Sequence, residues 1–120
     1  MVKISIVEDF SRTPGPRYIS EGDFSGQLFR QTILLPKIQE ALKANDDIQV
    51  DLDRASGYGT SFLEEAFGGL IREDHISYEF LKKHLIIKSD EDDIYIQEIN
   101  TYIESAYKKE SEKKSSIWNG

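Results

Sequence analysis

The 120-residue chain has no cysteine, which excludes a disulfide framework and any thiolate metal site. It also lacks an excess of positive charge. Fifteen Lys and Arg stand against 22 Asp and Glu, a formal net charge of −7. That balance argues against wrapping nucleic acid, and it suits partners that are basic or neutral on the contact face. No apolar run approaches the ~18–20 residues of a membrane span, and no basic-then-apolar N-terminus resembles a signal peptide. A cytoplasmic protein without a membrane partner is therefore expected. Histidine is scarce: His75 and His84 have no matching ligand partners, so a zinc site is not expected.

What is present fits one ordinary globular domain. The length matches the usual scale of ~100–200 residues per domain, and 38% hydrophobic with 11% aromatic residues is enough for a single core. Val2, Ile4 and Ile6 alternate with polar residues as in a half-buried strand, and so do Ile48, Val50 and Leu52. Leu85–Ile87 is apolar on both faces, which predicts a central or well-covered strand. Thr13–Pro16 (TPGP) interrupts any element, and Arg17–Ile19 is a candidate short strand.

Helices are expected between the strands. Ser20 with Asp23 has cap spacing, followed by a stripe of Phe24, Leu28, Leu35, Ile38 and Leu42. Pro36 predicts a kink near Leu35, and Asn45 with two aspartates a stop. The next helix buries Phe62, Leu63, Ala66, Phe67, Leu70 and Ile71, although Gly68 and Gly69 weaken it by about 1 kcal/mol each. Ile76–Lys83 is a short amphipathic segment. Ser89 with Asp92 repeats the cap spacing before a stripe of Ile96, Ile99, Ile103 and Tyr107. Lys108–Ser116 has no apolar residue and is expected to fray. Residues 1–107 thus form the domain, and 108–120 a polar, flexible tail carrying an isolated Trp118. Strands alternating with helices predict an α/β fold.

The specialised stretch is Ile48–Ile71, a strand, a loop with two glycines, and a helix opening on Thr60 and Ser61. In an α/β protein such a junction gathers backbone N–H groups and hydroxyls at one solvent-facing point. Ser61 with Glu64 has the spacing of a capping box. Thr60 then lies just outside the helix, where a phosphate of about −1.5 to −2 charge would meet the helix's positive end. Gly57-Tyr58-Gly59 is only a fragment of a nucleotide-binding fingerprint, because Phe62 replaces its third glycine and no lysine follows. Glu64 and Glu65 point about 100° apart on a helix; a cap role for the first and solvent for the second suffice. Asp90, Asp92 and Asp93 lack the glycine and ligand spacing of a calcium loop.

FSRTPGPRYISEGDFSGQLFRQTILLPKI and VDLDRASGYGTSFLEEAFGGLIRE together resemble the STAS-like family, a bacterial group related to the sulphate transporter and anti-sigma factor antagonist domains. Phe24, Ser25, Gly26, Phe29 and Arg30 carry the resemblance in the first segment. Asp51, Leu52, Gly57, Tyr58, Gly59, Ser61, Phe62, Leu63, Glu65, Ala66 and Phe67 carry it in the second. It implies an α/β sandwich with a mixed sheet of four or five strands and helices mainly on one face. In the antagonists a serine at the start of the helix after the central strand is phosphorylated by a histidine-kinase-like ATPase. Thr60 falls on that serine and Ser61 on the hydroxyl residue after it, while Gly59 replaces the preceding aspartate.

The sequence thus points to a non-enzymatic regulatory module without a cofactor. Its partner-binding loop comprises Arg54, Ser56, Gly57, Tyr58 and Gly59, and its candidate phosphoacceptors are Thr60 and Ser61. The implied protein partner is a histidine-kinase-like ATPase. Two alternatives stand beside it: a nucleotide- or anion-sensing module using Gly57–Ser61, and a homo-oligomeric interaction protein of a phage or defence setting with the second segment as interface.

Overall fold

The computed structural model describes residues 1–119, with side-chain surroundings through residue 114. Strands β1 (Val2–Ser5), β2 (Ile48–Asp51) and β3 (Leu85–Lys88) form one sheet in the order β1-β2-β3. Every pairing is parallel: Ile4 is level with Val50, and Val50 with Ile87. The described residues therefore hold three parallel strands rather than a mixed set of four or five. Each connection crosses back through helical structure, which parallel neighbours require.

The missing strand has a local cause. Arg17–Ile19 leads into a 3-10 turn over Ile19–Glu21 instead of pairing. The Tyr18 N–H donates to Glu21 Oε1 (2.9 Å) and the Ile19 N–H to Gln27 Oε1 (3.0 Å), so side chains take the donors a ladder would use. The expected place of β3 also changes. It is an edge strand with Ile86 41% exposed, and the half-polar β2 is the central one.

Helix α1 (Ile6–Asp9) follows β1 directly, with Ser5 as its cap. Residues 26–44 then form one helical rod: α2 (Gly26–Phe29), a π-turn (Arg30–Leu34) and α3 (Leu35–Ala44). Its cap is Ser25, whose Oγ accepts from the Leu28 N–H at 3.0 Å, not Ser20. Phe24 lies before the helix in the left-handed region (φ 55°) and is exposed. Pro36 sits in the first turn of α3, and the wide π-turn before it takes the place of a break. The extra residue also shifts the phase of the buried stripe. Phe29, Leu34, Ile38 and Ala41 are fully buried, whereas Leu28 and Leu35 are only partly covered and Leu42 is exposed. The rod ends at Asn45 in the left-handed conformation (φ 51°), as expected.

Residues 60–72 form a second rod: α4 (Thr60–Leu63), a π-turn (Glu64–Gly68) and α5 (Gly69–Arg72). Phe62, Leu63, Ala66, Phe67, Leu70 and Ile71 are all buried here. Helix α6 (Tyr78–His84) precedes β3, and α7 (Ile94–Asn119) closes the chain. In α7, Ile99, Ile103 and Ala106 face the core, while Tyr107 stacks on Tyr78 at 4.3 Å. The helix crosses residue 107 without a break. The charged run expected to fray continues it, with Lys108–Glu104 (3.0 Å) and Lys113–Glu110 (3.5 Å) paired. The expectation about Trp118 falls outside the described side chains.

An ionic network locks the two rods together. Arg30, 3% exposed, donates to Glu65 Oε2 (2.8 Å) and Asp74 Oδ2 (2.9 Å). Arg72 donates to Glu64 Oε2 (2.8 Å) and also reaches Glu65 (3.3 Å), and Arg17 closes on Glu64 from the proline-rich loop. Glu64 and Glu65 therefore serve ion pairs rather than a cap and solvent. Burial works to raise the Glu64 carboxyl, but Arg72 and Arg17 outweigh it and hold the group below its ordinary value. The glycine pair makes room for these side chains. A Cβ on Gly68 would stand 2.5 Å from Glu64 Oε2, and one on Gly69 would stand 2.5 Å from Arg30 Nε.

Removing one partner of a buried pair strands the other charge. Arg30→Ala is expected to lower the unfolding free energy by about 3–5 kcal/mol, measured by urea denaturation followed by circular dichroism. Arg17 and Arg72 remain near Glu65, which favours the lower end of that range.

Candidate functional site

Parallel strands deliver their C-terminal ends to one edge of the sheet, so the loops after β2 and β3 meet there. Asp53, two residues beyond β2, is buried and clamps the second loop. Its carboxylate accepts from the backbone N–H groups of Asp90 (3.1 Å) and Glu91 (3.0 Å) and from Lys88 Nζ (2.8 Å). Burial alone would raise the Asp53 carboxyl. The Glu91 N–H and the Lys88 ammonium outweigh it, so the group is held below its ordinary value.

The following residues are tethered one after another. Arg54 adopts a left-handed backbone (φ 76°), with its N–H on Glu91 Oε2 (2.9 Å) and its guanidinium on Glu8 (2.7 Å). The Ser56 N–H donates to the Arg12 carbonyl at 2.9 Å. Gly57 has φ 143°, a conformation that side chains rarely adopt. Tyr58 is half-buried: its hydroxyl donates to the Leu52 carbonyl (2.8 Å), and its N–H donates to the Tyr95 hydroxyl (3.3 Å). The Tyr58 ring meets Tyr95 edge-on at 5.2 Å and Phe62 at 5.9 Å, and burial pushes the phenol's pKa up. A cleft of about 140 Å³ remains between the two loops, lined by Asp53, Ser56, Tyr58, Ser89, Glu91 and Tyr95 among others.

The loop ends in an open turn. Gly59 is the cap residue of α4, with extended backbone and no atom within 4 Å of where a Cβ would stand. Thr60 and Ser61 follow as the first two helical residues, both exposed, and no side chain caps this helix. This corrects the capping box expected for Ser61 and Glu64. The helix begins two residues earlier, and the arginines draw Glu64 away. At the start of α7 the Ser89 hydroxyl donates to the Asp92 carbonyl (2.6 Å), while the Asp92 carboxylate accepts from the Ile94 N–H (3.2 Å).

The structure thus brings all seven candidate residues, Arg54, Ser56, Gly57, Tyr58, Gly59, Thr60 and Ser61, into one continuous surface segment. Their roles differ. Tyr58 and Arg54 hold the loop, whereas Gly59, Thr60 and Ser61 form its free tip. Phe62 is fully buried between Phe29 and Tyr58, so it serves the core rather than an interface. Asp53, Glu91 and Tyr95 escaped the sequence reading. The alternation of strands and helices was the available signal, since it puts the loops after β2 and β3 side by side. Among the described residues no group of three His, Asp or Glu side chains is placed to hold a metal.

The fold and this strand–loop–helix corner define a STAS-like α/β domain. A family model described as a STAS-like domain of unknown function (DUF4325) matches residues 25–95, more than half of the chain, and the chain belongs to that family. No curated protein and no solved structure matches it significantly.

Asp53→Asn tests the loop clamp. A carboxyl held below its ordinary value contributes stability that is complete above that value and is lost as pH falls through the folded pKa. The variant is expected to lose about 1–3 kcal/mol at pH 7. The gap to wild type should shrink as the pH drops below 3.8, the group's ordinary value. Chemical denaturation at a series of pH values measures both.

Proposed function

We propose that the chain is a non-enzymatic regulatory module that binds a protein partner through Arg54–Ser61 and the first turn of α4. Thr60, or Ser61 beside it, is the phosphoacceptor, and a histidine-kinase-like ATPase is the partner that modifies it. The setting is bacterial and cytoplasmic. One observation carries this reading: two exposed hydroxyls stand on an uncapped helical turn at the tip of a tethered loop. A phosphate there gains free N–H groups and the helix's positive end, and it adds about −1.5 to −2 charge to the contact face. Membership of the STAS-like family supports the same direction.

The anion-sensing alternative has less support. The N–H groups of Arg54, Ser56 and Tyr58 are already donated to Glu91, Arg12 and Tyr95, which leaves little of a nest.

Phosphosite mapping by mass spectrometry on protein from its host is expected to find stoichiometric occupancy at Thr60 or Ser61. In a pull-down, Thr60→Ala should retain the ATPase partner and Thr60→Asp should release it. Occupancy only elsewhere, or none under any growth condition, sinks the switch. Equal capture by wild type, Thr60→Ala and Thr60→Asp sinks the assignment to Thr60.

A further inference from the structure

We propose that the outer edge of β3 pairs with the same edge of a second copy of the chain, antiparallel about a two-fold axis, joining two three-stranded sheets. The proposal rests on β3 and stands apart from the β2–α4 loop.

Leu85-Ile86-Ile87 is an apolar run of the kind found in covered strands, yet β3 has a neighbour on one side only among the described residues. Ile86 is 41% exposed, and Leu85 and Ile87 are only partly covered. The Lys88 carbonyl accepts from the Leu52 N–H of the chain leaving β2, at 2.8 Å. Backbone groups alternate along a strand, so the N–H and C=O of Ile87 point to the open edge.

β3 is short, four residues, but the other usual protections of an edge are weak there. β3 contains no proline or glycine, and Lys88 is committed to Asp53 (2.8 Å) and Asp90 (3.0 Å) at the strand's end. The opposite edge is guarded. On β1 the Ser5 N–H is taken by the Asp9 carboxylate (2.8 Å), and Lys3 stands exposed.

The surface beside β3 carries charges of both signs along apolar residues. A groove of about 350 Å³ runs between α6 and α7, with Tyr78, Leu81, Leu85 and Ile103 along it and Lys82 and Glu104 in its walls. A two-fold contact uses one patch twice, so a cation and an anion flanking apolar residues meet their opposites across the axis. Elsewhere the chain's net charge of −7 opposes self-association, whereas this patch carries both signs. With Ile86 opposite Ile86 of the second copy, each Ile87 N–H faces a Leu85 carbonyl. Both exposed Ile86 side chains are then covered on the outer face of the joined sheet.

Sedimentation equilibrium of the full chain across the micromolar range is expected to show a monomer–dimer equilibrium. Ile86→Lys sets two ammonium groups opposite each other and should weaken the dimer about tenfold or more, with unchanged circular dichroism. The chain has no cysteine, so Ile86→Cys adds its one thiol. Directly opposed antiparallel residues lie about 4.5–5.5 Å apart at Cα, within disulfide reach. Oxidation should therefore give a covalent dimer, whereas Lys3→Cys on the opposite edge should not. A wild type that stays monomeric overturns the proposal, even if its edge takes a strand from another protein. So does a dimer indifferent to Ile86→Lys, or cross-linking of Lys3→Cys as readily as Ile86→Cys.

Discussion

The buried pairing of Arg30 with Glu65 is the constraint around which the rest of the chain is arranged. A guanidinium 3% exposed needs carboxylates at fixed places, and the sequence supplies them from two directions, Glu65 on the second rod and Asp74 just beyond it. Both rods change pitch where they meet this pair. Arg30 opens one π-turn and Glu65 lies within the other. A wider turn lets neighbouring residues share a side, which is why Arg72 reaches Glu64 and Glu65 together. Single-turn π segments often mark functional places in helices. Here one of them holds Glu65, about a turn beyond Thr60 and Ser61.

That presentation depends on rigidity at both ends. Upstream, Asp53 fastens the loop after β3, and Tyr58 hangs between the Leu52 carbonyl and the Tyr95 hydroxyl of α7. Downstream, Glu64 and Glu65 are fixed by three arginines from different segments. Between these anchors only Gly59, Thr60 and Ser61 are free of tertiary partners among the described residues. The fold thus confines the accessible chemistry of the corner to one short turn, and the residues around it hold it in place.

Much of this was legible in the sequence, and the failures share a physical cause. Alternation located β1 and β2, and the run Phe62–Ile71 gave the buried face of the second rod, because those signals depend on neighbours in sequence. Ser61 with Glu64 looked like a capping box by the same local logic, but Glu64 answers to Arg17 and Arg72, which spacing cannot reveal. Leu42 dropped off the buried stripe because the π-turn at Arg30–Leu34 advanced the phase by one residue, and Phe24 because the helix starts only after the Ser25 cap. Glu65 was assigned to solvent because its partner is 35 positions away. The candidate site was readable as a segment, whereas its supports on α7 and the β3–α7 loop were not.

Gly68 and Gly69 acquire a meaning beyond helix propensity. The missing side chain at 69 is the space in which the Arg30 Nε lies, and the one at 68 the space occupied by the Glu64 carboxylate. Position 69 is thereby tied to position 30 across two helices, and position 68 to position 64 within one rod. Among relatives of this chain, a residue with a Cβ at 69 should accompany a shorter side chain at 30. These glycines can drift only in step with the charges they shelter.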